Sequence, residues 1–248
     1  MFENFNKEDK KKLLVVMIIT DGYFGIDKKY PNISYWSNDK ILIKIFIDLM
    51  KGAFGIIPSH QEWNNVSYSK SQEVKSIYFE LIKLCRDIKK QSEKISLDFL
   101  KESSNDVVIA AIRLAMSTEG SLSISRKLNG SIRGKLAFAC ANPKLCGEWS
   151  EVFKLLNIRM NVGKDKNVYS GVHGLQTVRE DDILNFEKTG GFIDYVKVQR
   201  GYRFKQFNKN DVLKAYTNFI KNKREGKLKL YTKMSPESFW EKIEKYAG

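Results

Sequence analysis

Two apolar runs in the sequence end in the same pattern of threonine, an acidic residue and glycine. The first spans residues 13–22 and carries Asp21 just before its final glycine, and the second spans residues 111–120 and carries Glu119 in the same place. A strand-like stretch follows each run. We therefore expect the chain to fold as two similar halves that bring the two acids together.

Each run is predicted to be a buried helix with the acid in its last turn. Gly22 and Gly120 would end these helices in the left-handed conformation that glycine favours. A carboxylate in the last turn faces the negative end of the helix dipole, which costs about 0.3–1 kcal/mol at the surface and more where water is excluded. Because this placement occurs twice, we expect a compensating cation such as Mg²⁺, which prefers carboxylate oxygens. An ordinary core helix or strand is the alternative for either run alone.

The chain is strongly basic, which favours a polyanionic partner such as nucleic acid. Its 248 residues include 43 Lys and Arg against 29 Asp and Glu, a formal net charge of +14. Neutralisation of phosphates supplies most non-specific affinity for nucleic acids. A generally basic protein without such a partner is the alternative. The length allows one large domain or two smaller ones.

The cysteine pattern and the apolar runs exclude some other classes. Cys85, Cys140 and Cys146 form no Cys-x-x-Cys pair, so we expect no structural zinc site. With no signal peptide, we expect an intracellular protein, cytoplasmic in a prokaryote or in the organellar matrix if an organelle genome encodes it. The longest apolar run has about ten residues, too short to span a membrane, which needs ~20.

The pattern predicts the same element order in both halves: helix, two strands, helix, two strands, helix. In the first half, strands are expected at 23–29, 32–37, 56–63 and 66–69, and helices at 40–52 and 72–89. In the second half, strands are expected at 121–127, 133–141, 159–162 and 168–177, and helices at 148–156 and 181–192. We therefore divide the chain into a first repeat (1–95), a second repeat (96–197) and a basic C-terminal extension (198–248) with helices near 212–221 and 239–246.

The paired motifs resemble those of a known family. LVVMIITDG (residues 14–22) and IRLAMSTEG (residues 112–120) are similar to the two motifs of single-chain LAGLIDADG homing endonucleases, and the resemblance extends over residues 10–195. It implies an α+β fold of two pseudo-symmetric αββαββα repeats with their motif helices side by side. It also implies antiparallel sheets that form a saddle over the major groove of DNA.

The resemblance further implies an activity and a cofactor. A monomer of this family cleaves both strands of double-stranded DNA across the minor groove, within a long asymmetric target. Asp21 and Glu119 are the implied metal ligands for Mg²⁺. We expect Mn²⁺ to substitute for Mg²⁺, and Ca²⁺ to bind without supporting turnover.

Other implied site residues follow from the family pattern. Lys75 and Arg179 are expected to neutralise charge at the two scissile phosphates, and Asn38 and Asn142 to position water. Their alternative is ordinary surface decoration. The candidate DNA contacts on the strands are Lys28, Lys29, Ser34, Trp36, Ser123, Ser125, Lys127, Arg133 and Lys135, and those in the extension are Arg200, Arg203 and Lys205. A solvated sheet face, and a helical cap formed by the extension, are the alternatives.

Three competing functions remain open at the level of sequence. The first is a maturase of the same fold that binds its host intron RNA, with or without nuclease activity. The second is a non-catalytic DNA-binding regulator, which would have no need for a pair of acids at the helix ends. The third is a basic α+β protein with an accidental repeat. None of these readings includes a membrane partner.

Overall fold

The computed structural model describes residues 2–25, 32–55, 57, 59–61, 65–69, 87, 94–126, 131–164, 172–199, 204–227 and 241. Its helices are α1 (Lys7–Asp21), α2 (Lys40–Phe54), α3 (Asp98–Lys101), α4 (Asn105–Glu119), α5 (Pro143–Leu155), α6 (Glu180–Lys188) and α7 (Lys209–Arg224). Its strands are β1 (Gly22–Gly25), β2 (Asn32–Trp36), β3 (Ser59–Gln61), β4 (Asn65–Ser69), β5 (Gly120–Arg126), β6 (Ile132–Ala139), β7 (Asn161–Lys164) and β8 (Val172–Thr177). Within the described ranges, no helix has the length and apolar character needed to cross a membrane.

The strands form two antiparallel sheets with the same internal order. One sheet runs β1-β2-β4-β3 and the other runs β5-β6-β8-β7. The register also matches, because Gly22 pairs with Tyr35 in the first sheet and Gly120 pairs with Phe138 in the second. These matches confirm the α+β class and the predicted repeat. The predicted helices at 72–89 and 239–246 lie almost entirely outside the described residues.

The two motif helices, α1 and α4, pack against each other. Leu13, Val16, Ile112 and Leu114 on these helices are fully buried. The sheets turn alternate apolar side chains towards the helices, since strand side chains alternate between faces. One continuous hydrophobic core therefore joins both repeats.

The glycines after the motif acids have a different role from the one predicted. Gly22 has φ −91° and Gly120 has φ −89°, so neither is left-handed, and the chain passes directly from helix into strand. A Cβ atom on Gly22 would collide with the backbone of Ile18, and one on Gly120 would collide with Met116. Glycine is needed here because the emerging strand lies against the last helical turn.

Several helix bounds also differ from the prediction, and each difference has a local cause. Helix α5 begins at Pro143, five residues early, because the Asn142 side chain accepts a hydrogen bond from Leu145 N and proline suits the first helical position. Helix α6 ends at Lys188 rather than 192, before two glycines with positive φ. Helix α2 continues past Gly52 and ends at Phe54, before Gly55, which has φ 70°.

The described helix of the extension is a cap on the second repeat. Helix α7 packs against α6 and β5. Lys223 and Arg224 at its end form ion pairs with Glu180 and Asp181 at the start of α6, at 2.7 and 2.8 Å. The basic end of this helix is therefore matched by acids of the protein itself.

Candidate functional site

Asp21 and Glu119 occupy the last residues of the two packed motif helices, α1 and α4. The Asp21 side chain is exposed and that of Glu119 is half-buried. The threonine before each acid donates back to its own helix, from Thr20 Oγ1 to Val16 O (3.0 Å) and from Thr118 Oγ1 to Ala115 O (2.8 Å). These bonds satisfy backbone carbonyls in the last turns of the two helices. The threonine hydroxyls therefore point back along their own helices.

Five ionisable side chains share the electrostatic environment at this end of the helices: Asp21, Tyr35, Asp39, Glu119 and Lys209. Part of the Asp21 side chain reaches solvent, yet desolvation raises its pKa, and the positive charge of Lys209 opposes the rise. Burial raises the pKa of Tyr35 well above its ordinary value, and the negative charges of Asp21, Asp39 and Glu119 raise it further. The acids of both repeats are therefore close enough to act on the same groups.

Tyr35 contributes a buried hydroxyl to this cluster. Its ring stacks on Phe46, with centroids 5.1 Å apart. The hydroxyl lies near Ser37, although no hydrogen bond of ordinary geometry to a described residue satisfies it. The equivalent position in the second repeat is Phe138, so this polar atom belongs to one half only.

Lys209 is the cation of the cluster, and it comes from the extension. Its Nζ donates to the carbonyl oxygens of Ser117 and Gly120 at the end of α4, both at 2.8 Å. Burial lowers the pKa of Lys209 to about 8, although Asp39, Glu119 and Asp21 act to raise it. Lys209 thus places a positive charge at the end of α4, where the helix dipole is negative.

Asp39 is a buried acid that the sequence analysis did not single out. Its Oδ1 accepts from Ile41 N (3.0 Å) and caps α2, and its Oδ2 accepts from Lys197 N (2.9 Å). The strand registers make Asp39 the equivalent of Asn142, which caps α5 in the same way. A polar residue followed by a helical pattern is an N-cap signal, and it could have revealed Asp39.

The predicted pairing of Asn38 with Asn142 is therefore wrong by one position. Asn38 is exposed and precedes the cap of α2, whereas Asn142 is itself a cap. The repeated Asn-x-Lys context aligned the two asparagines, but strand pairing sets the true correspondence. The structure gives Asn142 a structural bond, and it does not place the two asparagines in equivalent positions.

The structure does not bring Arg179 beside Glu119. Strand β8 runs away from the motif acid, and Arg179 lies four residues beyond Leu175, which pairs with the partner of Gly120. Strand β8 ends at Thr177, and its two residues after Leu175 already carry the chain roughly 7 Å away. The guanidinium of Arg179 instead lies 3.7 Å from buried Asp182. Lys75, the matching prediction in the first repeat, lies outside the described residues.

The solvent face of the second sheet carries most of the predicted DNA contacts that the structure describes. Ser123 pairs with Lys135 and Ser125 with Arg133, and all four side chains are exposed. A cavity of about 260 Å³ joins this face to Glu119, and Ser121, Lys135 and Gln176 line it. Gln176 and Ser121 were missed because a single polar residue in a strand gives no distinctive signal.

The remaining predicted contacts have mixed positions. In the first sheet, Trp36 is 54% exposed, whereas Ser34 is only 4% exposed and is poorly placed to contact DNA. Lys205 in the extension is exposed. The other candidates, Lys28, Lys29, Lys127, Arg200 and Arg203, lie outside the described residues.

The chemistry of this end of the motif helices fits a hard divalent ion. Across the described ranges, no group of three or more His, Cys, Asp or Glu side chains is arranged to hold a metal. Mg²⁺ commonly binds through one or two carboxylates, its own waters and substrate phosphates. Asp21 and Glu119 match that donor set, provided that phosphate oxygens complete it.

The arrangement defines a class of fold: two α+β repeats on one chain, with paired helices that end in acids between two sheets. Solved structures with a similar fold include the following three. One is the LAGLIDADG homing endonuclease I-LtrWI bound to target DNA, at 13% identity and a TM-score of 0.54, covering 98% of this chain and 97% of that one. The chain therefore has the fold of the LAGLIDADG homing endonucleases in its single-chain form.

The other two structures agree. The meganuclease I-SmaMI, bound to uncleavable DNA, is 13% identical with a TM-score of 0.55, covering 96% of this chain and 95% of that one. The LAGLIDADG homing endonuclease I-GzeII, in complex with a DNA target, is 13% identical with a TM-score of 0.55, covering 96% of each chain. No protein-family model and no curated protein matches the sequence.

Proposed function

We propose that this protein is a site-specific endonuclease that cleaves both strands of double-stranded DNA with the help of a divalent metal ion. The observation that carries the proposal is that Asp21 and Glu119 end the packed helices α1 and α4, and that both charges act on Tyr35 and Lys209. These acids lie beside a basic sheet face, a combination that a non-catalytic regulator does not need. Similar structures bound to DNA add support.

Asp21 and Glu119 would hold Mg²⁺, which supplies Lewis acidity at the phosphate and lowers the pKa of bound water. Lys135 shares a cavity with Glu119 and would neutralise a neighbouring phosphate. Gln176 and Ser121 line the same cavity and would form hydrogen bonds to the DNA strand near the scissile phosphate. In the first repeat, Lys75 keeps its predicted role.

Recognition would use the exposed faces of the two sheets. A two-stranded ribbon such as β5–β6 fits the major groove, where each base pair presents a distinct pattern of donors and acceptors. Ser123, Ser125, Arg133 and Lys135 are the described candidates in the second repeat. Because the two repeats differ in sequence and lie on one chain, the target would be long and asymmetric, and the protein would act as a monomer.

The RNA-binding maturase stays an alternative prediction. The basic extension would suit it, but the described basic residues at the end of α7 are paired with acids of α6. No described feature of the extension therefore favours RNA over DNA.

The test is cleavage of a plasmid library that carries randomised inserts, with Mg²⁺, followed by sequencing of both cut strands. The wild-type protein should select one long, non-palindromic site. Asp21→Asn and Glu119→Gln should bind that site in Ca²⁺ but lose roughly 100-fold or more of the cleavage rate. Cleavage by Asp21→Asn at the wild-type rate would refute the assignment of the acids.

A further inference from the structure

The end of the second motif helix is held by a residue from outside both repeats. Lys209 begins helix α7, and its Nζ donates to Ser117 O and Gly120 O, which flank Glu119. Carbonyls in the last turn of a helix have no partner further along the helix. A cation at this end is favourable because it meets the negative end of the helix dipole.

The lysine is itself fixed in place by the segment that precedes it. Its backbone N–H donates to Val196 O at 2.8 Å. Its Nζ also lies 5.4 Å from the centroid of the Phe192 ring, close enough for a cation–π contact. The backbone and the side chain of Lys209 are therefore both held in the orientation that reaches α4.

The same segment reaches the first repeat. Lys197 N donates to Asp39 Oδ2 at 2.9 Å, and Lys197 forms a β-bridge with Asn208, the neighbour of Lys209. On the second repeat, Ile193 N donates to Ser117 Oγ at 2.7 Å. The segment thus connects the cap of α2 with the acid-bearing end of α4.

We propose that Lys209 is a positioning residue for DNA cleavage, which holds the end of α4 so that Glu119 reaches its working position. The inference rests on the proposed nuclease function, because only that function gives Glu119 a position to keep. Its physical basis is the pair of hydrogen bonds to the carbonyls on either side of the acid. The C-terminal extension then supports the catalytic centre, in addition to capping the second repeat.

The test compares Lys209→Met, which removes both bonds and the charge, with Lys209→Arg, which keeps the charge and the donors. Lys214→Met is the matched control, because Lys214 is exposed on the same helix. Each protein is assayed for single-turnover cleavage at saturating DNA with Mg²⁺ and for DNA affinity in Ca²⁺. Hydrogen exchange is followed at the amides of residues 114–122.

Lys209→Met should cleave roughly 10- to 100-fold more slowly, because small misplacements of a reacting group have effects of that size. Its DNA affinity should stay within about twofold of wild type, and its amide exchange at the end of α4 should be roughly tenfold faster. Lys209→Arg should recover most of the rate, and Lys214→Met should match wild type in all three measurements.

The inference is overturned if Lys209→Met cleaves at the wild-type rate, or if its loss of rate only follows a loss of DNA affinity. Where the Met variant does not fold, Lys209→Gln, which keeps one donor, takes its place under the same criteria. A wild-type protein that cleaves no duplex overturns the proposed function instead. In that case, unchanged amide exchange in the variant also removes the role of Lys209 in holding α4.

Discussion

At the scale of single residues, the two motif acids occupy positions that are unfavourable for a negative charge. Asp21 and Glu119 both face the unfavourable end of a helix dipole, and desolvation makes the charged form of Asp21 less favourable still. Lys209 offsets part of this cost through its charge and its two bonds to α4. Charged groups in unfavourable positions of this kind are typical of functional sites.

The destabilising effect of the charged Asp21 carboxylate should make the free energy of unfolding depend on pH. Because the folded-state pKa of Asp21 is raised above its ordinary value of 3.8, the charged carboxylate destabilises the folded state at neutral pH. In the absence of metal and DNA, Asp21→Asn should therefore be more stable than wild type at pH 7. The difference should shrink as the pH falls through the folded-state pKa and vanish below 3.8, as measured by urea unfolding.

Asp98 offers a control of opposite sign for that measurement. A hydrogen bond from Lys101 holds the pKa of Asp98 below 3.8. Asp98→Asn should therefore be less stable than wild type at neutral pH, and this difference should disappear as the pH falls through the depressed pKa. If both variants move stability in the same direction at pH 7, the electrostatic explanation for Asp21 is wrong.

At the scale of elements, the helix of the extension supports the ribbon proposed to read DNA. Strand β8 pairs with β6 only from Leu136 to Ala139, so the N–H of Gly134 has no strand partner on that side. The hydroxyl of Tyr216 on α7 accepts from it at 2.6 Å. Glycine is required here, because a Cβ would collide with the tyrosine ring.

Tyr216→Phe should lower the free energy of unfolding by about 1–3 kcal/mol, the usual cost of an unsatisfied buried N–H. Burial raises the pKa of Tyr216 above its ordinary value of 10.0, so the hydroxyl stabilises the folded state fully below pH 10. The difference between the two proteins should be constant up to that pH and narrow above it, as the unfolded tyrosine ionises.

Exposed Tyr195 is the matched position for that experiment, with 71% of its surface accessible. Tyr195→Phe should leave the unfolding free energy within about 0.5 kcal/mol of wild type. An equal effect of both substitutions would mean that the bond to Gly134 contributes nothing specific.

At the scale of the whole molecule, the formal net charge is +14. Some of the basic residues form ion pairs with acids of the protein itself, and others are available to bind a partner. The basic end of α7 is matched by acids of α6. In the described part of the chain, no acid forms an ion pair with Arg133 or Lys135 on the solvent face of β6. These two residues are therefore available to phosphates.

DNA affinity should fall steeply with salt, because phosphate contacts release counterions. If Arg133 and Lys135 each contact one phosphate, replacing either by Gln should reduce the slope of log affinity against log salt by about 0.9. Lys154→Gln, which removes a cation already paired with Glu151, should leave the slope unchanged. Unchanged slopes for both β6 variants would mean that DNA does not contact this face of the sheet.

The sequence alone determined the repeat, the α+β class, both motif helices and most strands, because those features depend on residues close together in the chain. Hydrophobic periodicity predicts a helix or strand, and turn residues mark where it stops. The early start of α5 was also predictable, because Asn142 followed by Pro143 is a local signal for the beginning of a helix. The left-handed role predicted for Gly22 was wrong because the contact with Ile18 depends on how the strand leaves the helix.

Only the tertiary structure decided which groups surround the acids. Asp39 meets Lys197, and Lys209 meets Gly120, across separations of 158 and 89 residues. No local sequence pattern predicts those pairs, because a single lysine or aspartate is ordinarily predicted to be exposed at the surface. Only tertiary packing shows that it is buried. The sequence thus specified that two acids end two helices. The packing of Lys197 against the first repeat and of Lys209 against the second determined the charge and hydrogen bonds that surround them.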